Sequence, residues 1–266
     1  MFDRFKRKLD YLRISVTDRC NLRCTYCMPE EGITLFSHNE ILSFSEIVGF
    51  TKAAVLNGVT KVRLTGGEPL VRKGVTALVR MISEIKGIDD LSMTTNGTLL
   101  KQYAQELRDA GLHRVNISLD TIDPEKFKTV TRTGNLDDVF EGIIAAKNAG
   151  LFPVKINCVI EDSKEEVDAF GVTRFCKENE LEIRYIRQMD LVRGHFSIVD
   201  GGTGGDCSLC NRLRLTSNGK LKPCLFSNIE FDIREFGFEQ AIRLAAELKP
   251  ECGTKNETGS FYNIGG

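Results

Sequence analysis

The stretch YLRISVTDRCNLRCTYC, residues 11–27, carries the reading of this chain. Residues 11–16 are rich in Ile, Leu and Val and read as a strand. Directly behind it Cys20, Cys24 and Cys27 fall within eight residues. Three thiolates so close can wrap one metal centre. Zinc normally closes its tetrahedron with a fourth Cys or His, and none lies nearby in the sequence. A [4Fe–4S] cluster held by three cysteines leaves one iron open to an exchangeable ligand. The spacing alone also admits a zinc site completed from a distance, or ordinary thiols.

Working outward, strand patterns follow at 61–65, 91–94, 114–119, 154–160 and 182–186. Helical patterns lie between them. One spans 43–57 and ends at Gly58, a C′ glycine. Another spans 136–148, with Asn135 as N-cap, Asp137 and Asp138 in the first turn and Gly150 just beyond. A third spans 163–179. Strands alternating with helices imply a parallel sheet. Six such units make an incomplete (βα)6 TIM-like barrel over residues 1–190, since a closed eight-unit barrel needs more chain. After Met189 the pattern breaks into a Gly-rich stretch, Gly194 to Gly205. Residues 191–266, with a helical pattern at 238–248, form a small C-terminal region that docks on the barrel.

That region holds a second group, Cys207, Cys210 and Cys224. Again no fourth ligand is close in sequence, so a zinc knuckle and a second open cluster both fit. In Arg212-Leu213-Arg214 an extended strand would turn both guanidiniums to one side, suited to an anion beside the metal or to a solvated surface pair. Three of the nine cysteines, Cys158, Cys176 and Cys252, stand apart and read as small buried side chains or stray thiols.

The chain of 266 residues is 41% hydrophobic and 27% charged, ordinary for a globular protein. Its net charge of −1 provides no global field toward nucleic acid or membrane. No apolar run is long enough to span a bilayer, and the basic N-terminal stretch lacks the apolar core of a secretory signal. The expected setting is the cytoplasm, where clustered cysteines point to metal rather than disulfides.

The CxxxCxxC spacing, Tyr26 before the third cysteine, and Gly66-Gly67-Glu68-Pro69 after the second strand resemble the radical S-adenosylmethionine superfamily. VRLTGGEPLVRKG, MTTNG, VNISLD, VKINCVI, CNRLRLTSNGKLKPCLF and the terminal IGG are similar, more narrowly, to its GTP 3′,8-cyclase family of molybdenum-cofactor biosynthesis. The resemblance implies two [4Fe–4S] clusters, one on each cysteine group. It implies S-adenosylmethionine contacts from Tyr26, Gly67, Ser118 and Met189, with the GGEP turn receiving the methionine amino group. It implies GTP contacts from Arg13, Arg63, Thr94, Lys155, Arg212, Leu213 and Arg214, with Arg212 and Arg214 catalytic. The implied reaction takes hydrogen from C3′ of the GTP ribose, joins C3′ to C8 of guanine and yields 3′,8-cyclo-7,8-dihydro-GTP. Implied partners are a reductant such as flavodoxin or ferredoxin, a downstream cyclic pyranopterin monophosphate synthase and a second copy of the chain. The terminal Ile264-Gly265-Gly266 is expected to enter the active site.

Two features depart from the family pattern. The segment from Asp190 to Asp206 is short, and Arg187 stands where an acid is usual. A radical enzyme with an auxiliary cluster acting on another substrate, such as a peptide or a different nucleotide, and a non-catalytic metal protein are the competing readings.

Overall fold

The computed structural model describes residues 1–29, 31–189, 197–202, 204–254 and 264. Six parallel strands follow one another in chain order: β1 (Tyr11–Ser15), β2 (Lys61–Thr65), β3 (Asp90–Thr95), β4 (Arg114–Ser118), β5 (Lys155–Ile160) and β6 (Glu182–Arg187). The crossovers are α1 (Phe44–Leu56), α2 (Val75–Ser83), α3 (Leu100–Asp109), α4 (Pro124–Thr131) with α5 (Leu136–Asn148), and α6 (Val167–Glu178). This is the partial (βα)6 barrel expected from the alternation. The sequence reading missed α2, α3 and α4. The first and third of these are nine and eight residues long, and α3 is polar over most of its surface, so their patterns are weak. Helix α6 starts at Val167 rather than at residue 163, because the Glu166 carboxylate accepts the amides of residues 161–163 and closes a turn ahead of the helix.

Each barrel strand has two unlike faces. Leu12, Ile14, Val62, Leu64, Leu91, Met93, Val115 and Ile117 belong to the core under the helices. Tyr11, Arg13, Arg63, Thr94, Asn116 and Ser118 occupy the alternate positions and so face the barrel interior. Cys158 and Cys176 are buried in the same core, as the isolated cysteines were read.

The C-terminal region does more than dock. Its strand β7 (Arg212–Leu215) pairs in parallel with β1, and β8 (Lys220–Lys222) and β9 (Phe231–Asp232) continue the sheet antiparallel. Two helices follow, α7 (Ile233–Phe236) and α8 (Phe238–Glu247). Phe238 meets Phe50 of α1 edge to face at 5.8 Å. Ser43 caps α1 in a reciprocal capping box with Glu46, and Arg234 of α7 donates to Glu46 Oε1 at 2.6 Å. The hydrogen bond from Arg234 holds the Glu46 carboxyl down to about 2. A depressed acid stabilises the fold above its unfolded value, near 4.5, and that contribution is lost as pH falls toward 2. Glu46→Gln is expected to lower unfolding free energy by about 1 kcal/mol at neutral pH, the pair being partly open to solvent. Denaturant melts should show the gap between the two proteins closing as pH is lowered from 4.5 toward 2.

Candidate active site

Strand β1 leads into a loop whose backbone packs against the Gly66–Pro69 turn at the end of β2. Gly67 N donates to Thr17 O, and Glu68 N to Arg19 O, each at 2.8 Å. A Cβ on Gly67 would lie 2.3 Å from Arg19 O, and one on Gly66 2.7 Å from Thr17 O, so only glycine permits this approach. Glu68 is buried, and its carboxylate accepts from Leu70 N, Thr95 Oγ1 and Asn96 N at 3.1, 2.7 and 2.7 Å. Burial pushes its pKa up to about 7 against those donors. Glu68 thus locks the turn to β3. Asn96 in turn donates to Asn21 Oδ1 at 2.9 Å and reaches Cys20 Sγ at 3.9 Å. The sequence reading passed over Asn96; its only signal was its place in MTTNG.

Cys20, Cys24 and Cys27 gather on the loop beyond β1. Cys27 N and Met28 N both donate to Cys24 O, a tight turn that brings Cys24 and Cys27 together. Burial raises all three thiols, and neighbouring thiols raise Cys24 further, to about 12, and Cys27 to about 11. Such a group is held as thiolates only by a cation among them. Among the described residues no three Cys, His, Asp or Glu side chains converge tightly enough for a single metal ion.

A cavity of about 590 Å³ opens onto these cysteines and is lined also by Tyr26, Gly67, Thr94, Ser118 and Met189. All four residues expected at S-adenosylmethionine therefore meet in one place, with one of those expected at GTP. Tyr26 is 43% exposed, and its hydroxyl donates to Asp120 Oδ2 at 2.9 Å. Asp120, another residue the sequence reading missed, also accepts from Val159 N at 2.8 Å. Arg187 lines this cavity too, but its guanidinium donates to the Asp162 carbonyl, tying the unusual charge to the loop after β5.

Two residues back along the strands, the interior is basic. Register places Arg214 beside Arg13, Arg13 beside Arg63 and Arg63 beside Ser92. The guanidiniums of Arg63 and Arg212 lie over the Tyr11 ring, 5.5 and 5.7 Å from its centroid. Burial, then mutual repulsion, lowers Arg13 well below the usual arginine value and Arg214 to about 10. Arg184 belongs to this group and was not singled out from the sequence. It shares its face of β6 with Ile186, which lines the cavity, and the alternation of that strand was the available signal. Among the described residues, Tyr11 Oη, Arg13 Nε, Thr94 Oγ1, Asn116 Nδ2 and Arg184 Nε are buried without a hydrogen-bond partner. Buried polar atoms are seldom left so, and their concentration on one inner surface fits a polar ligand. Lys155 is engaged elsewhere, in an ion pair with Glu182. Leu213 is buried in the core, leaving only its backbone to the interior.

Cys207, Cys210 and Cys224 stand at the opposite end of the β1–β7 pair from the first group. Cys210 precedes β7 and Cys224 follows β8, whereas Cys20 lies past the far end of β1. Burial pushes the Cys210 thiol up, yet Lys249, the Arg212 amide and the Arg212 and Arg214 guanidiniums together hold it below its ordinary value. Cys252 does not stand apart, as its place in the sequence suggested. It is exposed and lies close enough to Cys207 for the two thiols to influence each other. Arg7 brings the two turns together, donating to Cys207 O, Glu251 O and Pro250 O at 2.6, 2.7 and 2.7 Å. Ile264 is buried in a small apolar cluster with Leu225 and Phe226, against Met189 and Cys224, so this tail residue lies at the site. Gly265 and Gly266 lie outside the described residues.

The comparisons agree with this geometry. Residues 14–169 match the Radical SAM superfamily model, and residues 164–261 match Molybdenum Cofactor Synthesis C. A GTP 3′,8-cyclase from Thermodesulfovibrio yellowstonii is 44% identical over 283 residues, covering 88% of this chain and 87% of the relative. One from Alkaliphilus metalliredigens is 38% identical over 304 residues, covering 98% and 95%. The chain belongs to the GTP 3′,8-cyclase family. Both alignments are longer than the 266 residues present, so these family members carry residues that this chain lacks, in keeping with its short 190–206 segment. Among solved structures, SuiB from Streptococcus suis bound to S-adenosylmethionine superposes with a TM-score of 0.66 at 17% identity, covering 97% of this chain and 70% of that one. Methylornithine synthase superposes with a TM-score of 0.56 at 18% identity, covering 69% and 54%. At such identities these two share the fold.

As a radical SAM protein the chain uses S-adenosylmethionine and a [4Fe–4S] cluster. Gly67→Ala should force the turn away from Arg19 and weaken S-adenosylmethionine binding roughly tenfold to a hundredfold, the usual range for a forced steric clash. Equilibrium binding to the cluster-loaded protein measures this.

Proposed function

We propose that this chain is a GTP 3′,8-cyclase that converts GTP to 3′,8-cyclo-7,8-dihydro-GTP in molybdenum-cofactor biosynthesis. The observation that carries the reading is the group of buried and half-buried guanidiniums between two groups of three cysteines. Arg13, Arg63, Arg184, Arg212 and Arg214 crowd one interior, and like charges so placed call for a polyanion. A triphosphate supplies it, and it would also give Arg13 Nε and Arg184 Nε the hydrogen-bond partner they lack among the described residues.

In this reading Cys20, Cys24 and Cys27 hold the first cluster, and Cys207, Cys210 and Cys224 the second. When bound and reduced, the first cluster supplies the electron that cleaves S-adenosylmethionine to a 5′-deoxyadenosyl radical. Tyr26, Gly67, Ser118 and Met189 orient that molecule in the cavity. Thr94 lies where the cavity meets the basic interior and orients the ribose toward the radical. Arg13, Arg63, Arg212 and Arg214, joined by Arg184, bind the triphosphate and hold the nucleotide in reacting geometry. Lys155 contributes once its pair with Glu182 opens, and Leu213 through its backbone. Residues 1–190 line the cavity, and residues 191–266 bring Arg212 and Arg214 to the basic interior. A flavodoxin or ferredoxin serves as reductant, and a cyclic pyranopterin monophosphate synthase consumes the product. No helix among the described residues is long and apolar enough to cross a membrane.

Anaerobic incubation of the reconstituted protein with GTP, S-adenosylmethionine and dithionite, followed by product identification, tests the reading. Cleavage of S-adenosylmethionine with GTP left intact would refute it. Arg13→Ala and Arg214→Ala should each weaken GTP binding by about 1.5–3 kcal/mol, as expected for a charge-assisted hydrogen bond. Guanosine should lose far less, and equal losses for both ligands would mean that these arginines do not read phosphate.

A further inference from the structure

Lys249 follows α8 and is only 1% exposed. Its ammonium donates to Arg212 O at 2.8 Å and to Pro223 O. These carbonyls belong to the two segments that carry Cys210 and Cys224. Its charged neighbours are the Cys210 and Cys224 sulfurs and the cation Arg7. The other deeply buried lysine, Lys222, has an ordinary partner in Glu230 at 3.0 Å. Among the described residues no carboxylate forms an ion pair with Lys249. A buried ammonium without an anion is strongly disfavoured, so the cysteine sulfurs are the groups that balance it.

We propose that Lys249 is a positioning residue for the second cluster: it staples together the segments bearing Cys210 and Cys224, and its charge raises the reduction potential of the cluster they hold. The inference rests on the reading that Cys207, Cys210 and Cys224 bind that cluster. Reduction adds a negative charge to the cluster. A fixed cation shielded from water and bonded to the two ligand-bearing segments stabilises the reduced form more than the oxidised one. Two carbonyl acceptors fix the ammonium in place, as partners beyond the ligands do in other metal sites. Arg212 and Arg214 also raise the local positive potential, but they face the interior, whereas Lys249 joins the two ligand-bearing segments.

The test uses the full chain with Cys20, Cys24 and Cys27 changed to Ala, so that only the second site binds iron. Lys249→Met and Lys249→Arg are compared in that background by iron content and by an EPR-monitored redox titration. Lys249→Met keeps the volume and removes the charge; its midpoint should move to more negative potential, while Lys249→Arg stays near the parent. Loss of iron from the Met variant alone would also support a role for the charge. An unchanged midpoint in a Met variant with full iron overturns the inference, as does equal iron loss from both variants. A parent protein that binds no iron overturns the underlying cluster reading as well, which separates the two failures.

Discussion

The pairing of β7 with β1 is the interaction on which the site depends. These strands come from opposite ends of the chain, yet they run parallel in a register that sets Arg13 beside Arg214. Because they are parallel, the loop after β1 and the loop before β7 leave from opposite ends of the pair. The first carries Cys20, Cys24 and Cys27; the second carries Cys207 and Cys210. A few paired residues rising about 3.3 Å each separate the two groups. Were β7 antiparallel, Cys210 would lie at the same end as Cys20 and the basic interior would not separate the two metal sites.

That interior shows a balance of opposing terms. Hydrophobic burial of the helix-facing residues holds the barrel together, and it also forces the alternate residues inward, away from water. When those residues are arginines, burial and mutual repulsion work against the fold. Tyr11 offsets part of this by lying beneath two guanidiniums, and the Asp90 carboxylate accepts from Arg114 at 3.0 and 2.5 Å. Arg13 Nε and Arg184 Nε are left without a hydrogen-bond partner among the described residues, the kind of local strain that accompanies binding sites. The turn at Gly66 and Gly67 reflects the same compromise on a smaller scale, since close backbone contact there excludes every side chain.

The C-terminal region is bound to the barrel by more than its sheet. Arg7 links the N-terminal turn to the turns around Cys207 and Glu251, and Arg234 joins the cap of α1. Ile264 packs beside Met189 and Cys224, so the tail meets residues of both expected sites. These links span nearly the whole chain length.

Much of this was legible in the sequence because it is local. The cysteine spacing, the glycine turn, the strand–helix alternation and the capped helices α1 and α5 depend on residues a few positions apart. Cys158 and Cys176 could be read as core because each stands apart from the two cysteine groups. The rest depended on residues far apart in the chain. Arg184 gains its importance from Arg114 and Arg212 on other strands, Asn96 and Asp120 from the loop after β1, and Lys249 from carbonyls at Arg212 and Pro223. Cys252 comes near Cys207 where Arg7 bonds both turns. Local propensity and spacing are written in the order of residues, so the sequence by itself determined the elements and the candidate ligands. Strand order, register and burial are properties of the packed chain, and these alone decided which charges share an interior.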